Sequence, residues 1–242
     1  MTKPRKYVAL GDSVSIAYYP ERDALTRLKR KITGLGAPDL LVSNNDELWP
    51  EFNGRDLSSI FGPIGYQNLA VDGGTMETVL AYQLPRLEGS AADLITLTVG
   101  GNDLLDMLLV AKSAAVITQR VAQLGARYRD IVSRVRAAVP EALLLVTTVY
   151  DPTDETGKLP DWGSDIPISL LTPLNDTIRE VASSDSRTLL SDVHHHFLGH
   201  GVSAPANERW YLSESIIEPS LDGASEVRRV WLDSLRAAEA FG

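Results

Sequence analysis

A three-layer α/β/α sandwich is the fold class this sequence predicts, and three features of it carry the prediction. Short apolar runs without polar alternation recur along the chain, and amphipathic segments of helical period lie between them. Each run ends in small or polar residues. Continuous apolar strands are those covered on both faces, as in a parallel sheet. Strands that alternate with helices place those helices on both sides of such a sheet.

The expected strands are Tyr7 to Leu10, Tyr66 to Leu69, Leu94 to Val99, Leu143 to Val149 and Arg187 to Ser191. The longest expected helix, Val116 to Val139, has Val121, Leu124, Tyr128, Ile131, Val132 and Val135 at three- and four-residue steps. Pro140 follows where it must stop. A second helix is expected from about Leu170 to Ser183, and a third from Ala224 to Ala240 with Val227, Val230, Trp231 and Leu235 on one face. Without repeats or linkers, residues 1–242 read as one domain. Two stretches interrupt the alternation: an insertion at 20–64 and a loop rich in Asp, Pro and Gly at 150–168. Both begin at the carboxyl ends of strands, where open parallel sheets bind ligands. Both are therefore expected to wall or cover a site, with surface decoration as the alternative, and the insertion is expected to act as a lid or to shape the pocket. Its Trp49 and Phe52 either line an apolar site or pack.

The chain has no cysteine, which excludes disulfides, zinc–thiolate sites and cysteine nucleophiles. A formal charge of −9 argues against nucleic acid as a partner. The one dense basic group, Arg27, Lys29, Arg30 and Lys31, reads as a solvated helix face. No run of about 18 apolar residues is present to span a bilayer, nor a signal-peptide core, so a cytoplasmic location is expected. Oligomeric state is left open.

Three strand ends carry chemistry-bearing residues. The first delivers Gly11-Asp12-Ser13, in which Asp and Ser also suit a helix N-cap. The second runs into Asn68-Leu69-Ala70-Val71-Asp72-Gly73-Gly74-Thr75, whose paired glycines permit a positive φ and close approach to a ligand, or simply a tight turn. The third ends in Gly100-Gly101-Asn102-Asp103, where Asn102 either caps a helix or donates its amide to a developing oxyanion. Together they bring small residues and one hydrogen-bonding group from each of three strands to one edge.

Over residues 7–104 the chain resembles the SGNH or GDSL hydrolases, with these three segments standing in the order of that family's first three blocks. The resemblance implies a flavodoxin-like fold with a central five-stranded parallel sheet. It implies a serine esterase acting on a small-molecule ester or acylated substrate, without cofactor. Ser13 would be the nucleophile, and the Ser13 N–H, the Gly73 N–H and the Asn102 amide would form the oxyanion hole. Asp12 would shape the nucleophile turn.

The family usually supplies an Asp-x-x-His-Pro pattern near the C-terminus. Here the matching stretch is Ser215-Ile216-Ile217-Glu218-Pro219, so Glu218 stands at the histidine position and Ser215 at the aspartate position. Three readings follow. Glu218 itself is the base, although an ordinary glutamate pKa of about 4.3 is low for the task unless burial raises it. Alternatively a histidine arrives from His194, His195, His196 or His200, which all follow the last expected strand. His200 between two glycines is then preferred, with Glu218 orienting it as the acid of a triad does. Or the base is lost and a noncatalytic binding module remains. The histidine run lacks a third ligand at helical spacing, so no metal is expected.

Overall fold

The computed structural model describes residues 4–110, 114–159 and 167–239, with side chains for all of these except 108–110 and 114–118. Five strands form an all-parallel sheet: β1 (Lys6–Gly11), β2 (Gly65–Asn68), β3 (Leu94–Thr98), β4 (Leu143–Thr147) and β5 (Thr188–Ser191), in the order β2-β1-β3-β4-β5. This is the flavodoxin-like order, and each strand falls within two residues of its expected bounds. Register is continuous, with Tyr7 opposite both Tyr66 and Leu94, and Leu144 opposite Ile95 and Thr188.

The apolar runs are explained by what covers them. Val8, Leu10, Ile95, Leu97, Leu144 and Val146 point to one layer, while Tyr7, Ala9, Leu94 and Leu145 point to the other. Consecutive side chains of a strand face opposite ways, so a sheet buried on both sides has no polar alternation.

The helices, in chain order, are α1 (Tyr18–Leu28), α2 (Ala37–Val42), α3 (Leu57–Phe61) and α4. Helix α4 spans 76–87 and is α-helical over Met76–Thr78 and Leu84–Leu87 but π-helical over Val79–Gln83. Then follow α5 (Gly101–Val110), α6 (Ala114–Ala138), α7 (Leu171–Ser183), α8 (Val193–Phe197) and α9 (Leu221–Ala237). Helices α4 to α7 cover the first face. The second is covered by α1 to α3, α8 and α9. The third expected helix starts three residues earlier than its periodicity indicates, because Ser220 caps it by accepting from the Gly223 N–H. Ala240, its expected end, lies outside the described residues.

The insertion at 20–64 therefore makes half of one helical layer. Ala24, Leu35, Leu40, Leu41, Trp49 and Phe52 share a core with Trp231 of α9. Between them lies the guanidinium of Arg228, fully buried 3.5 Å over the Phe52 ring, hydrogen-bonded to Asn44 Oδ1 and Ser225 Oγ. Trp49 and Phe52 thus pack in the core. Arg228→Ala is expected to cost roughly 3 kcal/mol, through a cavity and polar atoms left without partners. Urea unfolding measures that loss, and an unchanged KM would agree with the distance of this cluster from the site described below.

One element was not visible in the sequence pattern. An antiparallel pair, β6 (Tyr211–Leu212) and β7 (Ser215–Pro219), follows α8 and carries Glu218. Among the described residues no helix is long and apolar enough to cross a membrane.

Candidate active site

The carboxyl ends of β1, β3 and β4 open into a cavity of about 120 Å³, walled mainly by apolar side chains. Ser13, Asp12, Asn102 and Glu218 all border it. The loop at 150–168 also contributes, through Tyr150, Asp151, Pro152, Pro167 and Ile168, while residues 160–166 lie outside the described set. No described residue of the 20–64 insertion borders the cavity. Of the two stretches expected to wall or cover a site, the later loop borders the cavity, while the insertion's apolar side chains pack against α9.

Ser13 begins a single 3-10 turn immediately after β1, with Asp12 as its N-cap. The cap carboxylate accepts from the Val14 N–H, and Thr98 of β3 braces the turn by hydrogen-bonding Ser15 Oγ at 2.8 Å. The capping role weighed for Gly11-Asp12-Ser13 is thus present, and it falls to Asp12, which leaves the Ser13 hydroxyl free to face the cavity.

The second and third strand ends are locked to each other. Asn102 Nδ2 donates to the Gly74 carbonyl at 2.9 Å, and the buried Asp103 carboxylate accepts the Met76 N–H at 3.0 and 3.2 Å. An amide nitrogen carries two hydrogens, so Asn102 retains a second donor. Gly73 has φ +66°, a left-handed conformation that favours glycine. It sits on the adjoining turn rather than on the wall of the cavity itself.

Glu218 comes to this edge on β7. That strand is held by Tyr150, whose hydroxyl donates to the Ile217 carbonyl at 2.7 Å. The family-like spacing of Pro219 and Gly223 has a local reason here: a side chain at Gly223 would collide with the Trp210 carbonyl. Glu218 is only 6 % exposed, and its Oε2 has no hydrogen-bond partner among the described residues. Burial pushes its pKa up to about 7, opposed by the Ser13 hydroxyl that faces it and reinforced by the charge of Asp72. Asp12 is likewise pushed up to about 7 by burial, with the Thr98 hydroxyl and Val14 N–H opposing and the Glu218 charge adding to the rise. Burial disfavours the ionised form of a carboxyl, and a neighbouring negative charge disfavours it further.

The histidines go elsewhere, which corrects the preferred placement of His200. Its Nδ1–H donates to the Glu208 carbonyl at 2.7 Å, and its ring stacks on Trp210 with centroids 3.5 Å apart. The flanking glycines thus serve a turn rather than present the ring to Ser13: the Gly199 and Gly201 N–H groups both donate to Asp154. His196 pairs with Glu226 at 2.8 Å, His195 faces solvent and His194 is half-buried behind the loop after β4. No histidine borders the cavity. His200→Ala is accordingly expected to leave kcat/KM for an activated ester unchanged, as steady-state assays would read directly. A loss of a hundredfold would restore histidine as the base. Among the described residues, no group of three or more His, Asp or Glu side chains is placed to hold a metal ion.

Two participants at this edge had no sequence signal. Gln83 and Asn175 each clamp the backbone of a residue at a strand end, Gly11 and Val149 respectively. An isolated amide in a helix looks like any other polar residue until the partner strand is known.

Comparisons with known proteins agree with this arrangement at the level of fold and family. The extracellular lipase of Streptomyces rimosus is similar in structure at 21% identity, with a TM-score of 0.57, 96% of this chain and 99% of that chain covered. Phospholipase A1 of Streptomyces albidoflavus is similar at 21% identity and a TM-score of 0.53, covering 97% and 99%. An acetyl xylan esterase from Geobacillus stearothermophilus has 16% identity and a TM-score of 0.62, covering 96% and 94%. No curated protein sequence matches significantly. The profile of the GDSL-like Lipase/Acylhydrolase family matches residues 9–214, ending one residue before the strand that carries Glu218. The chain belongs to the GDSL-like lipase/acylhydrolase family, and ester hydrolysis is the class of reaction that this membership assigns to it.

Proposed function

We propose that the chain hydrolyses esters through an acyl-enzyme on Ser13, with Glu218 rather than a histidine as the general base. The observation that carries this reading is the buried Glu218 carboxyl facing the Ser13 hydroxyl, with its pKa raised to about 7. A base works best when its pKa lies near the operating pH, and burial moves a glutamate there. The ionised carboxylate takes the proton of Ser13 Oγ as that oxygen attacks the ester carbonyl carbon. The carbonyl oxygen, now negative, accepts hydrogen bonds from the Ser13 N–H, the Gly73 N–H and the free hydrogen of the Asn102 amide, the kind of donor worth about 3 kcal/mol in a transition state. Glu218 returns the proton to the departing alkoxide. In the second half-reaction it deprotonates a water, which attacks the acyl carbon and releases the acid with Ser13 restored.

The mostly apolar cavity supports a small ester whose apolar part enters beside Asn102. It also gives the competing reading, a noncatalytic module that binds such a group, its one point of support. A fluorophosphonate probe separates the two. Stoichiometric labelling of Ser13, with a rate that rises through pH 7 in step with kcat/KM, is expected of the hydrolase; absent labelling would leave the binding module.

A further inference from the structure

Gln83 lies on α4, is 2 % exposed, and points at the backbone of Gly11, two residues before Ser13. Its Oε1 accepts the Gly11 N–H and its Nε2 donates to the Gly11 carbonyl, both at 2.7 Å. The sheet explains why this residue needs such a partner. Ala9 and Gly11 present their polar groups toward β2, and β2 ends at Asn68, with Leu69 N–H still reaching the Ala9 carbonyl. Beyond that point the Val71 N–H offers Gly11 only a long contact to its carbonyl, at 3.3 Å, and among the described residues no backbone carbonyl accepts its N–H. The Gln83 amide takes the place of the missing strand, since a carboxamide is the neutral side chain with a peptide's donor and acceptor side by side.

The helix is shaped for the purpose. It widens to a π-turn over Val79–Gln83 just before Pro85, which has no N–H to return to the preceding turn. Gly11 has φ +135°, and a Cβ there would collide with the Thr98 carbonyl, so backbone alone must hold the conformation. Asn175 does the same at Val149, on the cavity wall, with bonds of 2.8 and 2.9 Å.

We infer that Gln83 is a positioning residue for the nucleophile, holding Gly11 so that the following turn aims the Ser13 hydroxyl at Glu218. This rests on the proposed role of Ser13. A displacement of a nucleophile by about 1 Å costs on the order of 10²-fold in rate.

The test compares Gln83→Met, which keeps volume and loses both bonds, with Leu235→Ala, a core substitution on α9 away from the site. Both are assayed on p-nitrophenyl acetate beside wild type and Ser13→Ala. At equal residual stability, kcat of Gln83→Met is expected to fall on the order of 10²-fold with KM unchanged, and Ser13 labelling by a fluorophosphonate to slow in parallel. Gln83→Glu, whose protonated form still has one donor and one acceptor, is expected to match the activity of wild type on the acid side of the profile. It should add a falling alkaline limb to the pH profile as it ionises against the Gly11 carbonyl. If Gln83→Met loses no more activity than Leu235→Ala, the positioning role is overturned while the Ser13 reading stands. If wild type itself shows no Ser13-dependent turnover, that reading fails and takes this one with it.

Discussion

Ser13→Ala is expected to lower kcat/KM for p-nitrophenyl acetate by on the order of 10⁴-fold or more, without changing the fold. The side chain is small, lies at the start of a 3-10 turn capped by Asp12, and makes no hydrogen bond on which that turn depends. Removing its oxygen therefore removes the proposed nucleophile and little else. The residual rate reports what the oxyanion donors and the cavity contribute by themselves. Wild type and variant are to be assayed from pH 5 to 9 with their circular dichroism and melting compared. Turnover indifferent to this substitution would count decisively against a serine hydrolase and in favour of a binding role.

Glu218→Gln is expected to move activity and stability in opposite directions. Activity should drop by roughly 10³-fold, because an amide cannot accept the Ser13 proton. Stability should rise, and the sign follows from proton linkage. The carboxyl has a pKa of about 7 in the folded protein and about 4.3 in an unfolded chain. Between these values the folded state holds the proton more tightly, so stability falls as pH rises, and the full cost of burying the charge stands above pH 7. Glutamine has no charge to bury. Its advantage, on the order of 3 kcal/mol, should be present at pH 8 and vanish below about pH 4. Urea unfolding of both proteins at pH 4 and pH 8, beside their kcat/KM, checks both halves. An inactive variant with no gain at pH 8 would show a structural residue whose loss damages the site. An active variant would return the base to another group.

Such an opposition is the usual sign of a functional site, where a locally unfavourable arrangement is kept for its chemistry. Among the described residues Oε2 of Glu218 has no hydrogen-bond partner, and the charge of Asp72 opposes its ionisation. A histidine at this position would be neutral without that strain. Glutamate needs burial to reach a useful pKa, and the short β6–β7 pair held by Tyr150 keeps it buried.

Much of the molecule was legible in the chain itself. Runs such as Leu94 to Val99 could be buried only between two helical layers, so the sandwich and the order of its strands followed from local pattern and a family resemblance. Ser13 and Asn102 could be singled out as candidates because strand ends in such a sheet converge whatever packs around them, and both border the cavity. The insertion at 20–64 was less legible, because short helices such as Ala37–Val42 are defined by their contacts rather than by their own periodicity. The same holds for the pairing of Tyr211 with Pro219, which no local pattern announces.

What the sequence determined on its own was the identity of the anomaly: a glutamate where the family has a histidine, with four histidines clustered nearby. Which of them faces Ser13 was decided only by tertiary structure. His200 is tied to Glu208 and Trp210, whereas β7 delivers Glu218 to the cavity. The raised pKa of Glu218 was also beyond the sequence. Desolvation is a property of everything packed around a group, and residues as distant in the chain as Asp12, Asp72 and Glu218 meet only when the sheet has formed.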